Sequence, residues 1–280
     1  MTATDTHAAW KGRREEAEDT LSADTAARLA ATLDHPPAPT DVAPLLAHWL
    51  CFPPRAPHSE LGPDGHPRRG GFLPPVRLPR RMWAGGALRF MAPLRTGVPV
   101  RRTSILADVR ESEGRSGPLV FVTVDHKLRQ EGAPVLTERQ DLVYRGAPVT
   151  PPAARERAPE DTPPPGLWQR ALVPDPVLLF RYSALTFNAH RIHYDRPYAC
   201  EEEGYPGLVV HGPLTATLLL DLYLRRRPGA RVTGFRFRGV RPAFDGRELT
   251  LHATPTGTGA DLYAADDRGR TVMSAEVDAV

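Results

Sequence analysis

Apolar residues crowd one segment near the C-terminus: Leu214, Leu218, Leu219, Leu220, Leu222 and Leu224 fill most of a helical circumference. Pro213 suits a first turn, Arg225-Arg226-Arg227 suit a last turn, and Pro228-Gly229 forms a stop. The pattern predicts a helix buried on several sides. Downstream the period changes to two. Phe235 and Phe237 alternate with Arg236 and Arg238, residues 248–253 alternate through Leu249 and Leu251, and Met273, Ala275 and Val277 alternate with Ser274, Glu276 and Asp278 after the turn Asp266-Asp267-Arg268-Gly269. These segments predict an antiparallel meander. The N-terminal half follows the same plan, with an apolar stretch at 42–52 read as the helix, and strand-like segments at 87–92, 100–109, 119–128 and 135–144.

The halves also align residue on residue. Gly85, Pro93 and Gly97 stand 149 positions before Gly234, Pro242 and Gly246, and Arg89 stands the same distance before Arg238. Falling in equivalent strand pairs, the match predicts a duplication. The expected fold is α+β, a double hotdog: two modules, each a buried helix wrapped by an antiparallel sheet. Seven prolines between Gly146 and Gly166, mixed with charges, cannot pack and predict an extended linker. The expected organisation is therefore a first module at 1–145, a linker at 146–166 and a second module at 167–280.

With 280 residues, the chain can build a core without disulfides or metals. Lys+Arg at 36 against Asp+Glu at 33 gives a net charge of only +3, and acids intersperse the arginines, so a nucleic-acid partner is not expected. Two distant cysteines, Cys51 and Cys200, make neither a disulfide framework nor a metal motif. No apolar run reaches 18 residues and no export signal is visible, so the expected location is the cytoplasm, away from membranes.

Chemistry concentrates at 181–213, which holds four of the seven tyrosines and three of the ten histidines. Loops on a rigid scaffold are where sites are built. The spacing Asn188, His190, Ile192, His193 overlays the motif Asp-x-Asn-Pro-aliphatic-His, and His211-Gly212 opens the buried helix. In these residues the chain resembles the MaoC-like (R)-specific enoyl-thioester hydratases. Asn188 stands at that family's catalytic aspartate and His190-Arg191 at its Asn-Pro pair. The longer string 180–212, with His48-Trp49, Pro74-Pro75 and residues 79–86, is similar to the two-module branch containing mesaconyl-C4-CoA (3-methylfumaryl-CoA) hydratases and fungal-type 3-hydroxyacyl-thioester dehydratases.

The resemblance implies a hydro-lyase acting on a 2-enoyl- or 3-hydroxyacyl-CoA thioester, with a mesaconyl-type acyl group favoured. A dehydratase serving acyl carrier protein, and a non-catalytic acyl-thioester-binding protein, are the alternatives. Hydration needs a base for water, a proton for Cα and a site for the enolate oxygen. His193 is the expected base, Asn188 the group orienting water or imidazole, and the Gly212 N–H at the helix start the oxyanion donor. Arg191 would bind a carboxylate. Tyr194 and Asp195 follow at once, and in an extended segment Asp195 would share the side of His193 and replace the missing acid. His211 and Trp83 are further expected substrate contacts. The spacing His190-x-x-His193 lacks a complementary Cys or Glu ligand, so no metal is expected. No cofactor is expected, since the CoA thioester is itself the substrate. The first module lacks a counterpart of Asn188 and His193, so one site per chain is expected, and a homodimer is kept open as the self-association.

Overall fold

A computed structural model describes residues 7–36, 41–114, 117–146 and 164–280. Most of the expected linker, 147–163, lies outside them. Five strands come from the first half: β1 (Arg14–Thr20), β2 (Arg80–Phe90), β3 (Pro99–Gly114), β4 (Gly117–Gln130) and β5 (Ala133–Arg145). Five come from the second: β6 (Trp168–Leu172), β7 (Val232–Gly239), β8 (Leu249–Thr256), β9 (Gly259–Ala265) and β10 (Thr271–Ala279). They form one sheet in the order β1-β3-β4-β5-β2-β7-β10-β9-β8-β6. Read outward from the β2/β7 seam, both sides follow the same sequence of strands.

The seam explains the repeat. Gly85 faces Arg238, Arg89 faces Gly234, and Ala87 faces Arg236, 149 positions on. Ala87 faces its own equivalent, and the flanking pairs exchange reciprocally about it, as in a two-fold interface between identical subunits. Charged β1 closes one edge of the sheet, where unpaired backbone would otherwise invite another strand.

The described residues form three α-helices. The predicted helix is α3 (Gly212–Arg226), buried at every position from Leu214 to Tyr223 and packed on β6 to β10. The first half departs from expectation. The stretch at 42–52 yields only a 3-10 turn, Ala47–Leu50, because Pro44 and Pro53 bracket it and Leu46 and Phe52 adopt left-handed backbone (φ 68° and 59°). His48 and Trp49 in this turn instead bond the buried Glu138 at 3.2 and 2.8 Å. Among the described residues the long buried helix therefore occurs once. Two helices escaped the sequence reading: α1 (Ala23–Thr32), capped by Ser22 through the Thr25 N–H, and α2 (Pro176–Thr186), capped by Asp175 through the Leu178 N–H. They pack on each other across the module boundary.

Buried Asp221 of α3 joins the halves. Its carboxylate meets His35 Nε2 at 2.5 Å, Arg170 Nη1 at 2.8 Å and Arg225 Nε at 2.8 Å.

Candidate active site

α2 delivers the motif. The helix ends at Phe187 in left-handed backbone (φ 49°), and the Asn188 N–H returns to the Ser183 carbonyl at 2.8 Å. Asn188 Oδ1 then accepts the His190 N–H at 3.0 Å, a local side-chain turn that leads into a 3-10 turn, Arg191–His193. A compact turn, and not the expected extended segment, decides which side chains face inward. Ile192 and His193 are buried, whereas Arg191 is half-buried and Tyr194 exposed.

His193 Nδ1 lies 2.7 Å from the Val209 carbonyl. A carbonyl only accepts, so Nδ1 carries the proton and Nε2 keeps its lone pair. Burial holds this imidazole at about 4, below its ordinary 6.5, and the bond to Val209 opposes that shift only in part. The ring stacks on His211 at 3.7 Å and meets His190 edge-on at 5.5 Å; His190 in turn lies 4.3 Å from His66 of the first module. His211 Nε2 pairs with Ser183 Oγ at 2.8 Å, and its Nδ1 is buried without a partner. Burial also depresses His66 to about 3 and His190 to about 2, and holds His211 well below the usual imidazole range. At neutral pH the site thus presents a column of four neutral rings.

Gly212 begins α3, where a first-turn N–H has no intrahelical acceptor, and His211 supplies no side-chain cap. A Cβ placed on Gly212 would meet nothing nearer than the Trp83 carbonyl at 3.9 Å. The space before this helix terminus is part of a cavity of about 1020 Å³ between the modules. Asn188, His193, His211, Gly212 and Trp83 all line it. Trp83 is fixed by an Nε1–H bond to the Gly85 carbonyl at 2.8 Å and by edge contacts with Trp49 and Phe237.

Arg191, Tyr194 and Asp195 do not line the cavity. The Arg191 guanidinium bonds Asp195 at 2.8–2.9 Å and the Pro63 carbonyl at 3.0 Å, and lies over the Tyr198 ring at 4.1 Å. Asp195 also accepts the Tyr198 N–H, and Arg191 holds its carboxyl below the usual range. It is a brace for the turn, and the extended geometry that would have set it beside His193 does not form. Tyr194 is exposed and donates to the Ala189 carbonyl at 3.2 Å.

Sequence reasoning named Trp83 of the first module but missed the loop at 63–66. The Asp64 carbonyl accepts the Arg191 N–H at 2.9 Å, docking the loop around Gly65 onto the turn Arg191–His193. Asp64, His66 and His190 bring one potential metal-ligand atom each within 4.8 Å of one another. The Pro63-Asp64-Gly65-His66 string signals a turn, but nothing in it points to a segment more than 120 positions away.

Residues 46–245 match the family model described as hydroxyacyl-thioester dehydratase type 2. The chain belongs to this family. A mesaconyl-C(4)-CoA hydratase of Chloroflexus aurantiacus is 51% identical over 275 residues, 96% of each chain. The mitochondrial hydroxyacyl-thioester dehydratase type 2 of Schizosaccharomyces pombe is 30% identical over 238 residues, covering 75% of this chain and 77% of that one. Among solved structures, a MaoC-like dehydratase from Phytophthora capsici superposes with a TM-score of 0.70 at 14% identity, over 96% of both chains. A Mycobacterium tuberculosis protein described as a double hotdog superposes at 0.58 with 17% identity, again over 96% of both. At such identities the two structures speak to fold, and the fold is the α+β double hotdog. As a member of the hydroxyacyl-thioester dehydratase family the protein is a hydro-lyase, a hydratase/dehydratase of enoyl and hydroxyacyl thioesters. No helix among the described residues is long and apolar enough to cross a membrane.

Proposed function

We propose that the protein adds water to a 3-methylfumaryl (mesaconyl-C4) thioester of CoA. The acyl group follows the Chloroflexus relative. The observation that supports the chemistry is the unprotonated Nε2 of His193 in a cavity that also receives the uncapped N-terminus of α3.

In this reading the thioester oxygen takes the Gly212 N–H, where a helix terminus favours the negative charge of an enolate. His193 Nε2 removes a proton from water as its oxygen bonds to Cβ, and the Cα=Cβ electron pair moves onto the thioester oxygen. The imidazolium then returns that proton to Cα, so one water is added and the histidine ends neutral. Burial makes it a weak base and a strong conjugate acid, which suits the second half of the step. Asn188 cannot take a proton and orients the water through its amide NH₂, its oxygen being committed to His190. His211 supports His193 by stacking and by its own bond to Ser183. The mechanism uses no cofactor and no metal. The reducing cytoplasm suits the two free cysteines, Cys51 and Cys200.

The test follows loss of enoyl absorbance with mesaconyl-C4-CoA, crotonyl-CoA and an enoyl acyl carrier protein, with and without a chelator, beside His193→Ala. Chelator-insensitive turnover of mesaconyl-C4-CoA that falls at least about 10²-fold in the variant is expected. Preference for the carrier protein would make it a carrier-linked dehydratase. Binding without turnover would make it a binding protein, and undiminished activity in the variant would remove His193 from the mechanism.

A further inference from the structure

The cavity is strongly cationic. Arg55, Arg68, Arg69, Arg81, Arg145 and Arg241 line it against a single carboxylate, Glu15, which pairs with Arg102 at 3.4 Å. Most of these cations are already accounted for. Arg69 donates to the carbonyls of Val76, Leu78 and Pro79, Arg241 donates to the Thr271 carbonyl, and Arg55 and Arg68 are exposed at the rim. Neighbouring Arg80 is buried on Glu203 at 2.8 Å.

Arg81 and Arg145 remain. Arg81 is half-buried, and no carboxylate pairs with it among the described residues. It stands directly opposite Tyr144 on β5, whose hydroxyl is its side-chain hydrogen-bond partner. Arg145, the next residue along β5, also lines the cavity with its Nε buried and unpartnered, but it stands opposite Arg80 and so on the other face of the strand from Arg81 and Tyr144. Trp83, two positions along β2 from Arg81, lines the same cavity and sets its carbonyl beside Gly212. The charge of Arg81 also acts on His66 and His190, the two rings that lead to His193. A guanidinium fork therefore stands with one modest partner at the end of the histidine column, and such forks match carboxylate geometry.

We propose that Arg81 receives the free carboxylate of a dicarboxylyl thioester, making it the residue that selects the diacid over a plain enoyl group. This assignment rests on the substrate reading above. In a 3-methylfumaryl thioester the carboxylate is attached to the carbon that receives water, so its receptor must stand close to His193 and cannot be a rim arginine. Arg81 lines the cavity with His193 and its charge reaches His66 and His190, the rings next to it; Arg191 lies outside the cavity. The same cation could instead meet a phosphate of CoA, and the two sources separate by experiment.

Calorimetry with dead-end ligands avoids dependence on turnover. Succinyl-CoA and butyryl-CoA share every CoA phosphate and differ at the acyl terminus by a carboxylate. The wild type is expected to bind succinyl-CoA at least about 10-fold more tightly, as a charge-assisted pair allows. Arg81→Met should abolish that preference while leaving butyryl-CoA within about threefold, and Arg81→Lys, which keeps the charge and loses the fork, should retain part of it. A thermal melt verifies folding of each variant; should Arg81→Met not fold, the wild-type preference and its partial loss in Arg81→Lys carry the test. Equal weakening of both ligands would assign Arg81 to phosphate and overturn the proposal. So would a wild type with no preference, or a preference unchanged in the variants. A wild type that prefers succinyl-CoA yet does not hydrate mesaconyl-C4-CoA would reject the substrate reading alone.

Discussion

Gly212→Ala separates stability from catalysis at one atom. The glycine is not among the residues with positive φ, and its added Cβ would touch only the Trp83 carbonyl at 3.9 Å, an ordinary contact. Nothing in the protein resists the methyl. A helical Gly→Ala exchange stabilises by about 0.5–1 kcal/mol, worth about 1–3 °C in a chain of this size. Activity should move the other way. A thioester oxygen must come within about 2.9 Å of the Gly212 nitrogen, on the side of the residue that faces the cavity. The methyl intrudes there and displaces the acyl group by about 1 Å, and a misplacement of that size costs about 10²-fold in rate. The assay pairs a thermal melt with kcat/KM for hydration. A variant as stable as the wild type, or slightly more so, and about 10²-fold slower is the expected result. Activity within twofold of wild type would refute the oxyanion role of this helix terminus.

Three other perturbations follow from the geometry. His193 works as a base only when neutral and is held at about 4, so kcat/KM should stay flat down to about pH 5 and fall through pH 4; an acid limb near 6.5 would contradict the buried tautomer. The same shift makes stability pH-dependent: the unfolded chain binds the proton first, so stability is complete above pH 6.5 and drains as pH falls toward 4, by about 3 kcal/mol for this residue in urea titrations. Gly65→Ala should cost about 2 kcal/mol or more and lower kcat, because Gly65 has φ +87° and its Cβ would fall 1.9 Å from the Ala189 carbonyl, prising the first-module loop off the catalytic turn; a neutral melt and unchanged kcat would show that the docking is dispensable. Asp221→Ala should cost about 3 kcal/mol, the low end for a broken buried ion pair because Arg170 and Arg225 are partly exposed, with turnover per folded molecule unchanged; denaturant melts that agree within 1 kcal/mol would rule out the staple.

Much of this protein is written in local pattern. The apolar circumference of 214–224, its proline start and arginine end, and the period-two strands each follow from the burial demands of one segment, and they determined α3 and most of the sheet. The repeat at 149 positions agrees with the seam, because two-fold pairing makes the contacts of one strand recur reciprocally in its equivalent. His193, Asn188, His211 and Gly212 were expected together from motif spacing and Trp83 from the 79–86 string, and all five line one cavity. What only tertiary structure decided involves partners far apart in sequence. A helix at 42–52 failed because flanking prolines and the pull of Glu138, some 90 positions away, outweighed local hydrophobicity. The inward or outward direction of Arg191 and Asp195 depended on a 3-10 turn fastened by a first-module carbonyl. His66 reached the cavity through the fold alone, since no local periodicity records which loop will dock on which. Sequence sets the tendency of each segment; the choice among competing partners is made where segments from both modules are desolvated together.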